Sequence, residues 1–109
     1  MIPNTRNWRP PTDVYESEDY IIVKVEIAGM SQEKFEITFF KNILNISGCR
    51  SDEIPTKKAF HQLEIGYGDF LTSIEINIPI EADKADAIYH NGFLIIHLPK
   101  TQPRTIQIK

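Results

Sequence analysis

Apolar and polar residues alternate along several stretches of the chain, a period of two that is typical of half-buried β-strands. In Tyr20–Ala28, valine and isoleucine occupy every second position opposite Lys24 and Glu26. Phe70–Ile78 holds the longest alternation, and Pro79 then removes an amide that a further ladder bond would need. The same pattern predicts shorter strands at Val14–Glu16, Phe35–Phe40, Ile43–Gly48, His61–Ile65, Ala87–Tyr89 and Phe93–Leu98.

Two short polar turns predict β-hairpins between neighbouring strands of this set. Lys41-Asn42 separates Phe35–Phe40 from Ile43–Gly48, and asparagine tolerates the positive φ that two-residue hairpin turns need. His90-Asn91-Gly92 separates the last two strands, and Asn-Gly is the strongest short hairpin signal. Ser31 is expected to begin a single helical turn. Seven to eight short strands with hairpin turns predict an all-β chain that folds as an antiparallel β-sandwich.

One long polar connection interrupts the pattern of strands and short turns. Cys49–Phe60 carries five charged side chains and has Pro55 near its centre. About twelve residues is long for a hairpin connection, and long loops in compact domains are usually functional or mobile.

Composition agrees with the β-rich pattern and narrows the class of protein. The 109 residues contain 18 isoleucines and 3 valines against 5 leucines and 5 alanines, and β-branched side chains favour strands. The length predicts one domain. The single Cys49 excludes an internal disulfide, and no apolar run approaches the length of a membrane helix. A net charge of −3 argues against a nucleic-acid partner. With no secretory signal in Met1–Pro11, we expect a cytoplasmic protein without a membrane partner.

The side chains that could carry chemistry do not form a catalytic constellation in the sequence. His61, His90 and His97 lack cysteine or carboxylate neighbours at zinc-ligand spacing. Cys49 stands beside Arg50, which could lower its pKa, although an unpaired thiol at a strand end is the simpler interpretation. We therefore predict that the protein is not an enzyme and that it needs no metal or other cofactor.

The C-terminal tail carries two isoleucines among polar residues. Ile106 and Ile108 lie two positions apart, so both point the same way in an extended chain, and Pro103 discourages a helix. Apolar side chains on a polar tail remain in water unless they reach pockets, for example by strand addition at a sheet edge. The pattern alone fits equally well with a last strand of the same domain.

The order and spacing of several motifs resemble the α-crystallin domain of the small heat-shock protein family across Pro11–Lys109. The most specific match is Asn91-Gly92-Phe93-Leu94 followed by Leu98-Pro99-Lys100, and Ile106-Gln107-Ile108 resembles the family's C-terminal Ile-x-Ile motif. The other matching stretches are Asp13–Glu16, Tyr20–Gly29, Leu44–Gly48, His61, Tyr67–Phe70 and Ala87–His90.

This resemblance implies a fold and an activity. It implies an immunoglobulin-like sandwich at residues 12–100, a short N-terminal extension at 1–11 and a tail at 101–109. It also implies an ATP-independent holdase chaperone that binds non-native client proteins and limits their aggregation. The main alternative is a monomeric adaptor of the co-chaperone class with a CS-type sandwich. The CS-type fold lacks both the exchanged loop strand and the Ile-x-Ile tail.

The resemblance further implies a homodimer and possibly a higher homo-oligomer. The loop Cys49–Phe60 would supply a strand that pairs with the first strand of a partner. Ile106 and Ile108 would dock between Phe35–Phe40 and Phe70–Ile78 of a neighbouring subunit. Exposed surface for clients is expected at the same groove and at Trp8, Phe40 and Ile95. The residues expected in strand exchange are Asp13, Val14, Tyr15, Lys57, Lys58 and Phe60, and those expected in the groove are Phe35, Ile37, Phe39, Ile74 and Ile76.

Overall fold

A computed structural model describes residues 8–52 and 59–109 of the chain. This described part contains seven strands and two short 3₁₀ helices. The strands are β1 Thr12–Glu16, β2 Tyr20–Glu26, β3 Phe35–Phe40, β4 Ile43–Arg50, β5 Gly68–Glu75, β6 Asp86–His90 and β7 Phe93–Pro99, and the 3₁₀ helices are Gln32–Lys34 and Ala82–Lys84.

The strands form two antiparallel sheets that face each other. One sheet has four strands in the order β1-β2-β7-β6, and the other has three in the order β3-β4-β5. The all-β antiparallel sandwich predicted from the sequence is therefore confirmed. Each sheet has two outer strands with one unpaired edge, namely β1 and β6 in the first sheet and β3 and β5 in the second.

The core lies between the sheets. It is built from the apolar side chains that occupy every second position of the strands and point inward. Val23, Val25 and Ile27 are fully buried, while Glu26, in the opposite phase, is exposed. Burying one such side chain stabilises the fold by roughly 1.5–3 kcal/mol, so the alternating pattern fixes which face of each strand turns inward. The rest of the apolar core is Ile21, Leu44, Ile46, Phe70, Ile76, Leu94, Ile96 and Leu98.

Both predicted hairpins are present, with the backbone that their turns require. Lys41 and Asn42 have φ of 50° and 66°, and Asn91 and Gly92 have φ of 52° and 80°. Two successive residues in the left-handed region match the right-handed twist of the strands that they join. The helical turn expected after Ser31 is the 3₁₀ helix Gln32–Lys34.

Two strand predictions differ from the structure. His61–Ile65 is not a strand, and all five of its side chains are exposed. The long strand ends at Glu75 instead of Ile78, because Glu75 pairs with Ile43, the first residue of β4. Beyond that point the amide of Ile76 donates to the carbonyl of Asn42, at 2.8 Å, in the β3–β4 turn.

Cys49 lies on the outward face of the three-stranded sheet, opposite Asp69. A hydrogen bond with the Asp69 carboxylate raises the pKa of the thiol, with smaller contributions from desolvation and from the Asp69 charge. Cys49 is a free thiol near the end of β4, as the simpler interpretation of the sequence has it. Arg50 does not lower its pKa, because successive side chains of a strand point to opposite faces and Arg50 turns away from Cys49.

The first prediction concerns Thr72, whose buried hydroxyl has no hydrogen-bond partner within the described residues. Because an unpartnered buried hydroxyl costs about 1–3 kcal/mol, we expect Thr72→Val to raise the free energy of unfolding by about 1 kcal/mol in urea denaturation. Thr38→Val, at an exposed position of β3, is the control and should change stability by less than about 0.5 kcal/mol. A less stable Thr72→Val variant would contradict this account.

The second prediction concerns the reactivity of Cys49. Since the thiolate is the nucleophile, removing the Asp69 carboxylate should lower the thiol pKa and speed alkylation by iodoacetamide severalfold at neutral pH. The rate profile of Asp69→Asn should shift to lower pH than that of the unaltered protein. Asp13→Asn, on the other sheet, should leave the profile unchanged. An identical profile for Asp69→Asn would remove Asp69 as the cause.

Candidate functional site

The outer strands β3 and β6, from opposite sheets, border a groove along one side of the sandwich. The groove contains two hollows, of about 260 Å³ and about 590 Å³. Ile37 of β3 and Ala87 of β6 line both hollows and so lie at their boundary. The groove therefore offers two adjacent sockets along a pair of unpaired strand edges.

The smaller hollow has an apolar floor and a more polar rim. Leu44, Ile96 and Leu98 come from the buried core, and Phe39 lines the β3 side. Asp86 also borders this hollow on the β6 side, and its carboxylate lies 3.1 Å from Nδ1 of His97, whose strand phase faces away from the core. Such a socket favours a branched apolar side chain with polar or charged neighbours.

An aromatic contact bridges the two strands at the larger hollow. The rings of Phe35 and Tyr89 lie 5.2 Å apart between centroids. The Tyr89 hydroxyl donates to the carbonyl of Ile27 at 2.7 Å and accepts from the amide of Met30 at 3.3 Å. These two hydrogen bonds hold the ring in place, so the end of the groove has a defined shape before anything enters it.

The structure brings together three of the five residues predicted for the groove. Phe35, Ile37 and Phe39 line it, because their phase of β3 faces inward. Ile74 and Ile76 do not line either hollow. Ile74 lies on β5, on the far side of β4 from β3, and Ile76 follows the end of β5. The groove expected between β3 and the long strand is therefore corrected to one between β3 and β6.

The β6 side of the groove was missed by the sequence analysis. Ala87 and Tyr89 line the groove and lie two positions apart on β6, with Ile88 between them. This two-residue spacing was the signal in the sequence that could have identified them. Strand order within the two sheets then decides that β6, and not β5, lies beside β3. That order depends on contacts between distant parts of the chain, which a local pattern does not contain.

The C-terminal tail is extended and exposed. Ile106 is 88% exposed and Ile108 is 98% exposed, and residues 101–109 form no strand of the same sandwich. The root of the tail is fixed, since the Lys100 ammonium lies 2.6 Å from the Glu16 carboxylate and the Lys100 amide donates to Asp19 at 2.8 Å. Two large apolar side chains are thus presented to solvent from an anchored base.

The residues predicted for strand exchange lie on an outer strand and on the long connection. Asp13, Val14 and Tyr15 are exposed on β1, whose outer edge is unpaired within the described chain. Phe60 is 61% exposed, while Lys57 and Lys58 fall outside the described residues. Leu63 and Ile65, which were not predicted for this role, are also exposed and lie two positions apart on the same connection.

The three additional client-surface candidates differ in exposure. Phe40 is 70% exposed, with the Lys41 ammonium over its ring at 5.4 Å. Ile95 is half-buried on the outward face of the four-stranded sheet. Trp8 is also half-buried, and it packs edge-on against Phe70 with ring centroids 5.5 Å apart.

Two kinds of site are absent from the described residues. Within residues 8–52 and 59–109, no three His, Cys, Asp or Glu side chains are grouped so that they could hold a metal ion. No helix in this part of the chain has the length and apolar character needed to cross a bilayer.

Comparison with known proteins places this architecture in a family. The model of the Hsp20/alpha crystallin family matches residues 13–109. Small heat shock protein C2 of Rickettsia felis is 32% identical over 108 residues, which are 95% of this chain and 70% of that protein. Small heat shock protein C4 of the same organism is 29% identical over 100 residues, and the match spans 61% of that protein.

Solved structures agree with the sequence comparison. Heat shock protein 16.0 from Schizosaccharomyces pombe has a TM-score of 0.79 at 31% identity, covering 94% of this chain and 100% of that one. The hspA protein of Xanthomonas axonopodis has a TM-score of 0.80 at 29% identity, covering 87% and 96%. With a family match over nearly its whole length, this chain belongs to the Hsp20/alpha-crystallin family, whose small heat-shock proteins are chaperones and not enzymes.

Proposed function

We propose that this protein is an ATP-independent holdase that binds non-native proteins and limits their aggregation in the cytoplasm. The observation that carries the proposal is the exposure of large apolar side chains beside unpaired strand edges. Exposed apolar surface and free strand edges are the features that bind unfolded chains. Binding a non-native client shifts its population by mass action, so the activity needs no bond chemistry and no nucleotide.

The proposed dimer forms by exchange of the connection between β4 and β5. Part of that connection, around Lys57, Lys58 and Phe60, pairs with the unpaired edge of β1 in a partner. Val14 and Tyr15 of β1 are 48% and 50% exposed, so apolar surface is available for a strand that lands there. Asp13 gives this edge negative charge, which complements the two lysines, whereas Glu16 is already paired with Lys100.

The proposed tail contact joins one dimer to a neighbouring subunit. Residues two apart in an extended chain lie about 6.5–7 Å apart and point the same way, so Ile106 and Ile108 would fill the two adjacent hollows. Each isoleucine would contribute roughly 1.5–3 kcal/mol if fully buried. Arg104 and Lys109 flank the pair and keep the rest of the tail polar.

Assembly beyond a dimer has a parallel among the relatives. The small heat-shock protein from Xylella fastidiosa, which is 29% identical with a TM-score of 0.79, is described as having a distinct high order structure. We propose that residues 12–100 form the exchanging domain of the present protein and that the tail at 101–109 links such domains into a larger homo-oligomer.

The third prediction tests the holdase activity directly. Light scattering by a heated client should fall when this protein is present at equimolar subunits, with no ATP added. Adding ATP should not change the result. If light scattering by the client rises as fast with an equimolar or excess amount of this protein as without it, the proposed holdase activity is rejected.

The fourth prediction tests the tail. Ile106→Ala combined with Ile108→Ala should remove species larger than the dimer in analytical ultracentrifugation, because both sockets lose their side chains. The dimer itself should survive, since β1 and the exchanged connection are untouched.

A double variant in the same segment is the control for the tail. Thr105→Ala combined with Gln107→Ala changes the opposite face of the extended tail and should retain the larger species. If the isoleucine variant shows the same size distribution as this control, the isoleucines do not link the subunits. A protein that stays monomeric at every concentration would instead favour the adaptor function and reject strand exchange.

A further inference from the structure

Arg50, the last residue of β4, makes an unusual number of polar contacts for a half-buried side chain. Its Nε and Nη2 both donate to the carbonyl oxygen of Gly66, at 3.0 Å and 2.5 Å. Its Nη1 donates to the carbonyl of Ala28 at 3.1 Å. One guanidinium group therefore binds two backbone oxygens from segments 38 residues apart.

The same guanidinium also contacts two aromatic rings. Its Cζ lies 4.3 Å from the ring centroid of Trp8 and 5.4 Å from that of Tyr67. The Trp8 indole in turn donates to the carbonyl of Gly68 at 3.1 Å. We call Arg50, Trp8, Gly66 and Tyr67 the Arg50 clamp.

Gly66 is required for this packing. A Cβ placed on Gly66 would lie 2.7 Å from the Trp8 ring, closer than side-chain atoms approach one another. The absence of a side chain lets the indole lie directly on the backbone that Arg50 holds. Trp8, Gly66 and Arg50 thus form one tightly packed unit instead of three independent contacts.

The clamp lies at the neck of the long connection between β4 and β5. Arg50 ends β4 and Gly66 lies two residues before β5, so the bonds between them join the two ends of the connection. Beyond the neck, Phe60, Leu63 and Ile65 are all exposed. The connection is anchored at its base, while these three apolar side chains of its described part face solvent.

We propose that Arg50 is a positioning residue for subunit exchange, because the Arg50 clamp fixes the direction in which the connection leaves its own sandwich. The inference rests on the proposed dimer and assigns that interface a determinant outside the residues that touch the partner. A fixed base reduces the conformational entropy that the connection loses when it pairs with a partner. The Trp8 contact also makes the N-terminal segment part of the same anchor.

Lysine cannot replace Arg50 in this role. A single ammonium does not present the planar fork that binds Gly66 twice and Ala28 once, and it does not stack on an indole as a flat group does. Arg50→Lys keeps the charge and the aliphatic stem while removing this geometry. It is therefore a milder probe than truncation to alanine.

The experiment uses the full chain and two readouts. Sedimentation equilibrium measures the dimer dissociation constant, and acrylamide quenching measures the accessibility of Trp8, the only tryptophan in the sequence. We expect Arg50→Lys to weaken the dimer at least about tenfold, the scale set by the loss of hydrogen bonds from a charged donor. Quenching of Trp8 should increase even at dilutions where the variant is monomeric.

Two control variants separate positioning from other effects. Arg9→Lys makes the same chemical change at an exposed position and should dimerise as the unaltered protein does. Ile46→Val leaves a small cavity in the core and lowers fold stability without touching the Arg50 clamp or either hollow of the groove. If Arg50 only stabilised the fold, Arg50→Lys and the core variant would weaken the dimer equally at the same loss of stability.

Each outcome decides between the possibilities. An unchanged dissociation constant for Arg50→Lys, or a weakening no greater than that of Ile46→Val at equal loss of thermal stability, overturns the inference and leaves strand exchange standing. An unaltered protein that is monomeric at all concentrations rejects strand exchange and this inference together. If Arg50→Lys does not fold, Trp8→Leu, which removes only the aromatic side of the clamp, must still weaken the dimer, and an unchanged constant there overturns the inference.

Discussion

Unpaired backbone groups on the outer strands are the constraint on which the rest of this structure depends. A sandwich of four and three strands has four outer edges, and each carries free N–H and C=O groups next to apolar side chains. Such edges bind other chains unless they are covered. The sheets are left open at the groove between β3 and β6 and at the exposed edge of β1. The proposed chaperone activity uses both places, together with the apolar tail.

Local patterns predicted the elements of this fold well. Alternation of valine and isoleucine with charged residues located β2 and its buried face, and the turns at Lys41-Asn42 and Asn91-Gly92 located both hairpins, because these signals act over a few residues. His61–Ile65 contains strand-forming residues but lacks a neighbour to pair with in the described chain. Its strand was predicted from the local pattern alone, whereas a strand in the structure also needs a partner.

The candidate site was predicted only in part, and the errors have physical causes. Phe35, Ile37 and Phe39 were found because a single strand shows its inward phase in its own sequence. Ile74 was expected beside them, but it lies on the far side of β4, because strand order in a sheet is a property of the whole fold. The contacts of Arg50 were not predicted for a related reason: it reaches Gly66 and Ala28, which are distant in sequence, and not the neighbouring Cys49 thiol, since neighbours in a strand point to opposite faces.

The anchoring of Lys100 has a geometric consequence for assembly. Its ammonium binds Glu16 at the end of β1, and its amide binds Asp19 in the turn that follows, so the tail starts from the strand edge that the proposed dimer uses. Because the root of the tail is held at that place, the proposed dimer would set the direction in which the tail leaves the subunit. The angle between successive dimers, and hence whether a chain of contacts closes into a shell or continues as a filament, would then be decided at this one corner of the subunit.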